Sequence, residues 1–380
     1  MPTDTIPPGA LIIDCDSHVL EPRDLWDTYI DPEFRDRSIR IFDDEAGHEK
    51  LVIDNKLIFQ DFLGGLGGVE IDRQKLTIPG EVSYLQGAPL ASYDTNARLQ
   101  LYRDWGIDGG IVFPTIGILW DTEEPKLADA YARAYNRWQW DFVGGNTDKI
   151  LPIAHIPFHD PALALAELRR CLKLGFKGMF VAPEPMNGVR PSDPMYDAVW
   201  HELEDAGLPF CLHVIVRFTR PVGLGTAMRG WFPEGNRTFA FGLGATFQII
   251  PAVAALVMDG LFDRFPKLKC LCVEAGCGWA AYLMDRLDEK YQHFSYADKI
   301  KRRPSEYLAE NVWYVAEPQE RTINAMMDLV GEDKILWGSD YPHIDSHIEA
   351  ASQIRASIAD LSDRRKRLVL GENAKALFAL

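Results

Sequence analysis

The chain has 380 residues, 47% of them hydrophobic and 25% charged, a composition that excludes disordered, collagen-like and disulfide-scaffold proteins. Its 40 basic residues stand against 56 acidic ones, for a net charge of −16 at pH 7. That field repels phosphate backbones and anionic membranes, so neither nucleic acid nor a membrane is expected as a partner.

The opening MPTDTIPPGA has neither the basic nor the apolar region of a secretion signal, and the expected location is cytoplasmic. A first strand is read at Leu11 to Cys15, running into Asp16-Ser17-His18. No GxGxxG or GxxxxGK[ST] follows it, which argues against a nucleotide-binding sheet. Residues 23 to 93 interrupt the pattern with short alternating runs (Ile39 to Phe42, Lys50 to Ile53, Lys56 to Phe59), which predict a small β insertion or cap. Gly64 to Gly68 follows no convincing strand and reads as a turn.

From there apolar runs alternate with helical patterns. Strands are predicted at Gly109 to Phe113, Ile150 to Ala154, Lys177 to Val181, Pro209 to His213, Leu268 to Glu274, Val312 to Val315 and Ile335 to Gly338. Helices are predicted at Asn96 to Trp105, Lys126 to Phe142, Pro161 to Leu174, Pro194 to Ala206, Ile250 to Phe265, Trp279 to Tyr291, Glu320 to Val330 and from about Ser346 onward. Eight such alternations predict an α/β chain forming one (β/α)₈ TIM barrel over 1–380. A long connection at 215 to 248 is read as a lid or interface loop.

Thr238 to Met258 carries no charge over 21 residues, the length of a membrane span. Its glycines and Pro251 favour instead a loop over Phe239 to Phe247 and then a buried helix or a subunit contact. A homodimer or higher homo-oligomer is expected. The six cysteines lie mostly in apolar runs without metal or disulfide spacing and read as reduced core residues.

Strand side chains alternate, so Asp16 and His18 share a face. His213 ends the fifth strand, Asp340 follows the eighth, and His155 and Glu274 end two others. Imidazoles and carboxylates converging on one barrel rim suit a divalent metal, with Asp16, His18, His213 and Asp340 as candidate ligands. Taken singly, each of these residues has an ordinary alternative: a hydrogen-bonded core histidine, or an aspartate capping a turn.

Several stretches resemble the amidohydrolase-related metal-dependent enzymes, in the branch of aminocarboxymuconate semialdehyde decarboxylase and γ-resorcylate decarboxylase. They are IIDCDSHVLEPRDLW at the start, AYNRW at 134 to 138, RFPKLKCLCVEAGCGWAAYLMDRLD at 264 to 288 and LWGSDYPHIDS at 336 to 346. The resemblance implies a barrel holding one divalent ion (zinc first, manganese or iron as alternatives) on those four residues. Two departures stand out. Asp16 occupies a position that is His or Glu in the relatives, and Glu274 stands where the decarboxylases carry a catalytic His.

An unperturbed Glu donates a proton poorly at neutral pH, so the preferred expectation is a hydrolase acting through metal-activated water on a small organic acid or an aromatic or cyclic carbonyl compound. Asp340 or Glu274 would be its base, and His343 a hydrogen-bond or proton donor. A non-oxidative decarboxylase on the same scaffold is the alternative, and a catalytically silent binding barrel is the third reading. Arg217, His155, Trp120 and Trp337 are candidate substrate contacts.

Overall fold

A computed structural model describes residues 6–120, 122–215 and 237–380. Twelve strands appear in chain order: β1 (Ile13–His18), β2 (Arg40–Asp43), β3 (Glu49–Ile53), β4 (Lys56–Gln60), β5 (Gly109–Phe113), β6 (Ile150–Pro152), β7 (Ala154–His155), β8 (Met179–Val181), β9 (Pro209–His213), β10 (Lys269–Val273), β11 (Val312–Ala316) and β12 (Ile335–Trp337). β2, β3 and β4 form a separate antiparallel sheet within the 23–93 connection. Its tight turn is Asp54-Asn55, both at positive φ (50° and 59°), as a two-residue hairpin link between right-twisted strands requires.

The other strands are parallel, in the order β1-β5-β6 and β7-β8-β9-β10-β11-β12. The predicted third strand, Ile150 to Ala154, is one run divided at Ile153, β6 pairing with β5 and β7 with β8. The ring closes between the first and last strands: Ser339 and Asp340 N–H donate to Asp16 O at 3.0 and 2.7 Å, and His18 N–H donates to Tyr341 O at 2.6 Å. This is the predicted (β/α)₈ barrel, with Asp16 and His18 inside the first strand rather than beyond it.

Local chemistry sets the helices around the ring. Asp94 accepts Ala97 N–H to start Thr95–Trp105, and Asp160 with Pro161 opens Pro161–Leu174. Several predicted boundaries move, and the helix predicted at Ile250 to Phe265 breaks into Arg237–Met258 and Leu261–Arg264. Arg237–Met258 is one helix, so Gly242 and Gly244 do not hold 239–247 as a loop. Tertiary bonds outweigh the glycine penalty there, since Gln248 Oε1 accepts Ile215 N–H and Thr246 Oγ1 donates to Ala275 O. Among the described residues no helix is long and apolar enough to cross a membrane. The helix predicted from Glu320 starts at Ile323, because Glu320 turns back to bind the neighbouring loop. All six cysteines are buried and unpaired.

Candidate metal centre

β1 aims Asp16 and His18 at the carboxyl end of the barrel, and β9 ends on His213. His18 Nδ1–H donates to Pro114 O at 2.9 Å and His213 Nδ1–H to Val214 O at 2.8 Å. A carbonyl only accepts, so the δ nitrogens carry the protons and the two Nε2 lone pairs face inward. They meet at 3.2 Å. Asp16 Oδ1 lies 3.4 Å from His18 Nε2 and 3.5 Å from His213 Nε2, buried and without a hydrogen-bond partner. Burial, with His343 and His213 nearby, lowers His18 to about 3, so it stays neutral. Two imidazole nitrogens and a carboxylate oxygen therefore converge within 3.5 Å of one another, an arrangement that fits a bound cation.

Asp340, at φ 55° just past β12, lies 3.5 Å from His18 Nε2 and 2.7 Å from His343 Nδ1. Asp16, His18 and His213 form one compact ligand group, and His18, Asp340 and His343 another. The four sequence-predicted ligands thus lie in one cluster, with Asp340 shared toward His343. His343 is oriented by Thr115, whose hydroxyl donates to Val19 O at 2.7 Å and must therefore accept from His343 Nε2–H at 2.9 Å. One proton is left for the Asp340–His343 contact. Burial and neighbouring carboxylates raise Asp340 well above the carboxylate range, while burial lowers His343.

Glu274 follows β10 in the left-handed region (φ 59°). Its Oε2 is 3.5 Å from His213 Nε2 and has no hydrogen-bond partner. Burial, reinforced by Asp340 and Asp16, raises it well above the usual range. That removes the objection that a glutamate here gives a proton poorly.

The remaining candidates scatter. His155 stacks between Trp120 (4.2 Å) and Phe180 (4.7 Å), with Nε2 3.1 Å from Gly117 O. His155 and Trp120 are buried and reach the cluster only through Phe180, whose ring lies 5.8 Å from that of His213. Trp337 faces away, its indole N–H donating to Leu370 O at 3.1 Å, so it belongs to the layer between barrel and C-terminal helices. Arg217 lies outside the described residues.

Sequence reasoning missed three supports, Arg98, Thr115 and Glu317, while Glu21 keeps the loop-anchoring place its position after the ligand pair suggests. Arg98, fully buried, donates to Ala91 O (2.6 Å), Ser17 Oγ (3.2 Å) and His18 O, pinning β1 from behind. Glu21 accepts Ile116 and Gly117 N–H at 2.9 and 3.0 Å and so holds the turn that presents Thr115. Glu317 follows β11, and burial, with Asp16, Glu320 and Asp345 nearby, raises it to about 8. Thr115 and Glu317 each stand within two residues of a strand's carboxyl end, the signal that could have found them.

A family model described as amidohydrolase matches residues 119–380. The chain belongs to the amidohydrolase family. This amidohydrolase is 28% identical over 323 residues to the γ-resorcylate decarboxylase of Rhizobium radiobacter, an alignment covering 80% of the chain and 92% of that relative. Among solved structures it resembles amidohydrolase map2389c of Mycobacterium avium subsp. paratuberculosis K-10 (TM-score 0.81, 23% identity, 97% and 99% of the two chains covered). It also resembles the dihydroxybenzoic acid decarboxylase of Polaromonas sp. JS666, which was solved with bound manganese and 2-nitroresorcinol (TM-score 0.66, 20% identity, 98% and 97% covered). These likenesses agree with the barrel seen here.

Proposed function

We propose that this amidohydrolase is a metal-dependent carboxy-lyase that removes carbon dioxide non-oxidatively from a small aromatic acid. The observation that carries the reading is the meeting of His18 Nε2, His213 Nε2 and the unpartnered Asp16 Oδ1 within 3.5 Å of one another. These three, with Asp340, would hold one divalent ion. When bound, it supplies a Lewis acid that draws the oxygens of an acidic substrate into a site otherwise rich in carboxylates. The relatives support decarboxylation over the hydrolysis preferred from sequence, and the manganese relative supports manganese alongside zinc.

The chain's own groups suit the chemistry. Phe113 packs 4.7 Å and Phe180 5.8 Å from the His213 ring, giving an apolar face for an aromatic substrate. Glu274, kept neutral by its surroundings, meets a substrate carboxylate without like-charge repulsion. As the carbon–carboxylate bond breaks, its electron pair stays on the ring carbon, which takes the proton held between Asp340 and His343. We read the whole chain as one barrel unit capped by residues 23 to 93.

Metal analysis of the purified protein, followed by turnover of 2,6-dihydroxybenzoate and related hydroxybenzoates with carbon dioxide capture, tests this. Carbon dioxide and the matching phenol, formed only by metal-loaded protein, are expected. Efficient hydrolysis of an ester, amide or lactone with no carbon dioxide would overturn decarboxylation in favour of the hydrolase.

A further inference from the structure

Glu274 holds a backbone conformation disfavoured for any residue with a Cβ, so something outside it must impose the turn. Its loop, 274 to 278, closes around one carboxylate from the next strand connection. Glu320 accepts Cys277 N–H at 3.1 and 3.0 Å and Gly278 N–H at 2.8 Å. It also accepts Thr322 Oγ1–H at 2.6 Å and Glu317 N–H at 3.3 Å. The loop packs tightly on that side, since a Cβ on Gly276 or Gly278 would stand 3.2 or 3.3 Å from a Glu320 oxygen and push it aside. Trp279 Nε1–H adds a bond to Gly276 O at 2.9 Å.

We propose that Glu320 is a positioning residue for the reaction. By gripping the 274–278 loop it fixes the left-handed turn at Glu274 and holds Glu274 Oε2 beside His213, and through Glu317 N–H it sets the Glu317 side of the rim as well. The inference rests on the reading that Glu274 faces the reacting atoms. A purely structural role competes with it. The helix Trp279–Phe294 has no side-chain cap at Gly278, and Glu320 caps it from outside.

The test uses the full chain loaded with cobalt(II) as a spectroscopic probe, with 2,6-dihydroxybenzoate as the turnover probe. Its variants are Glu320→Ala, Glu320→Gln, Glu274→Gln and the double variant Glu320→Ala/Glu274→Gln. Positioning predicts that Glu320→Ala lowers kcat ~10–100-fold with little change in KM, and that the double variant is no slower than Glu274→Gln alone. The cobalt visible spectrum should shift alike in both single variants and no further in the double. Glu320→Gln, which keeps one accepting oxygen, should fall between parent and Glu320→Ala, and it decides the matter if Glu320→Ala does not fold. A lowered melting temperature with the parent's cobalt spectrum and kcat would overturn the proposal in favour of helix capping, as would additive losses in the double variant. If no acid of this class is turned over, the decarboxylase reading fails by itself, and the cobalt spectra still decide the role of Glu320.

Discussion

The antiparallel sheet β2–β4 and the barrel rim are both dense in carboxylates, and they treat them in opposite ways. In the insertion acid meets base: Arg23 bridges Asp43 (3.1 Å) and Glu49, Lys50 reaches Asp44 at 2.6 Å, and Arg37 joins Asp54 (2.6 Å) to Glu124. On the rim, Asp16, Glu274, Glu317 and Asp340 crowd together, and none of them forms an ion pair with a lysine or arginine among the described residues. Burying carboxylates without cations costs stability. A fold that gives the acids of β2–β4 basic partners and, among the described residues, gives the rim none is arranged for a charge that arrives at the rim.

The strongest break of this contrast is at the ligands. His213→Ala should abolish metal retention and turnover. Asp16→Asn should do the same, with a change of sign in stability: it lowers the melting temperature of metal-loaded protein but leaves metal-free protein unchanged or raises it. Calorimetry of both forms checks this, and an equal loss in both would contradict it.

A smaller effect concerns pH. Burial raises Glu21 from 4.5 to about 7, so folding favours its neutral form. Its contribution is complete below the unfolded value near 4.5 and is lost as pH rises through about 7. The loss is about 3 kcal/mol at most. Metal-free protein should therefore melt lower at pH 8 than at pH 5, with a shallower pH slope in Glu21→Gln. A slope unchanged in that variant would remove Glu21 as its source.

The smallest effect sharpens the contrast from the paired side. Arg23→Met leaves Glu49, whose side chain is 7% exposed, with Tyr84 N–H (2.8 Å) but without its cation. Denaturant titration should show a loss of about 1–2 kcal/mol with metal content unchanged. A fall in metal content would tie the insertion to the site and blur the distinction.

The sequence made the barrel strands legible because each is a short apolar run between helical patterns. It also brought Asp16, His18, His213 and Asp340 to one end, since strand alternation and barrel topology decide that much. The paired side of the contrast was less legible. Lys50 reads as part of an alternating pattern, but its partner depends on how the insertion folds back. Glu320 looked like a helix residue, because its pull on Cys277 and Gly278 spans 43 and 42 positions. Gly242 and Gly244 looked like breakers, because the bonds that outweigh them come from Ile215 and Ala275. The ionisation of Glu274 was not legible for the same reason: an unperturbed value holds in water, and this carboxyl is buried beside other carboxylates.

The most direct test is elemental analysis by mass spectrometry of the parent and His213→Ala, before and after chelation and reloading with manganese or zinc. The account predicts about one divalent ion per parent chain, removable and restorable, with none retained by the variant. A folded parent that takes up no ion on reloading would contradict the claim that this rim is built around a cation.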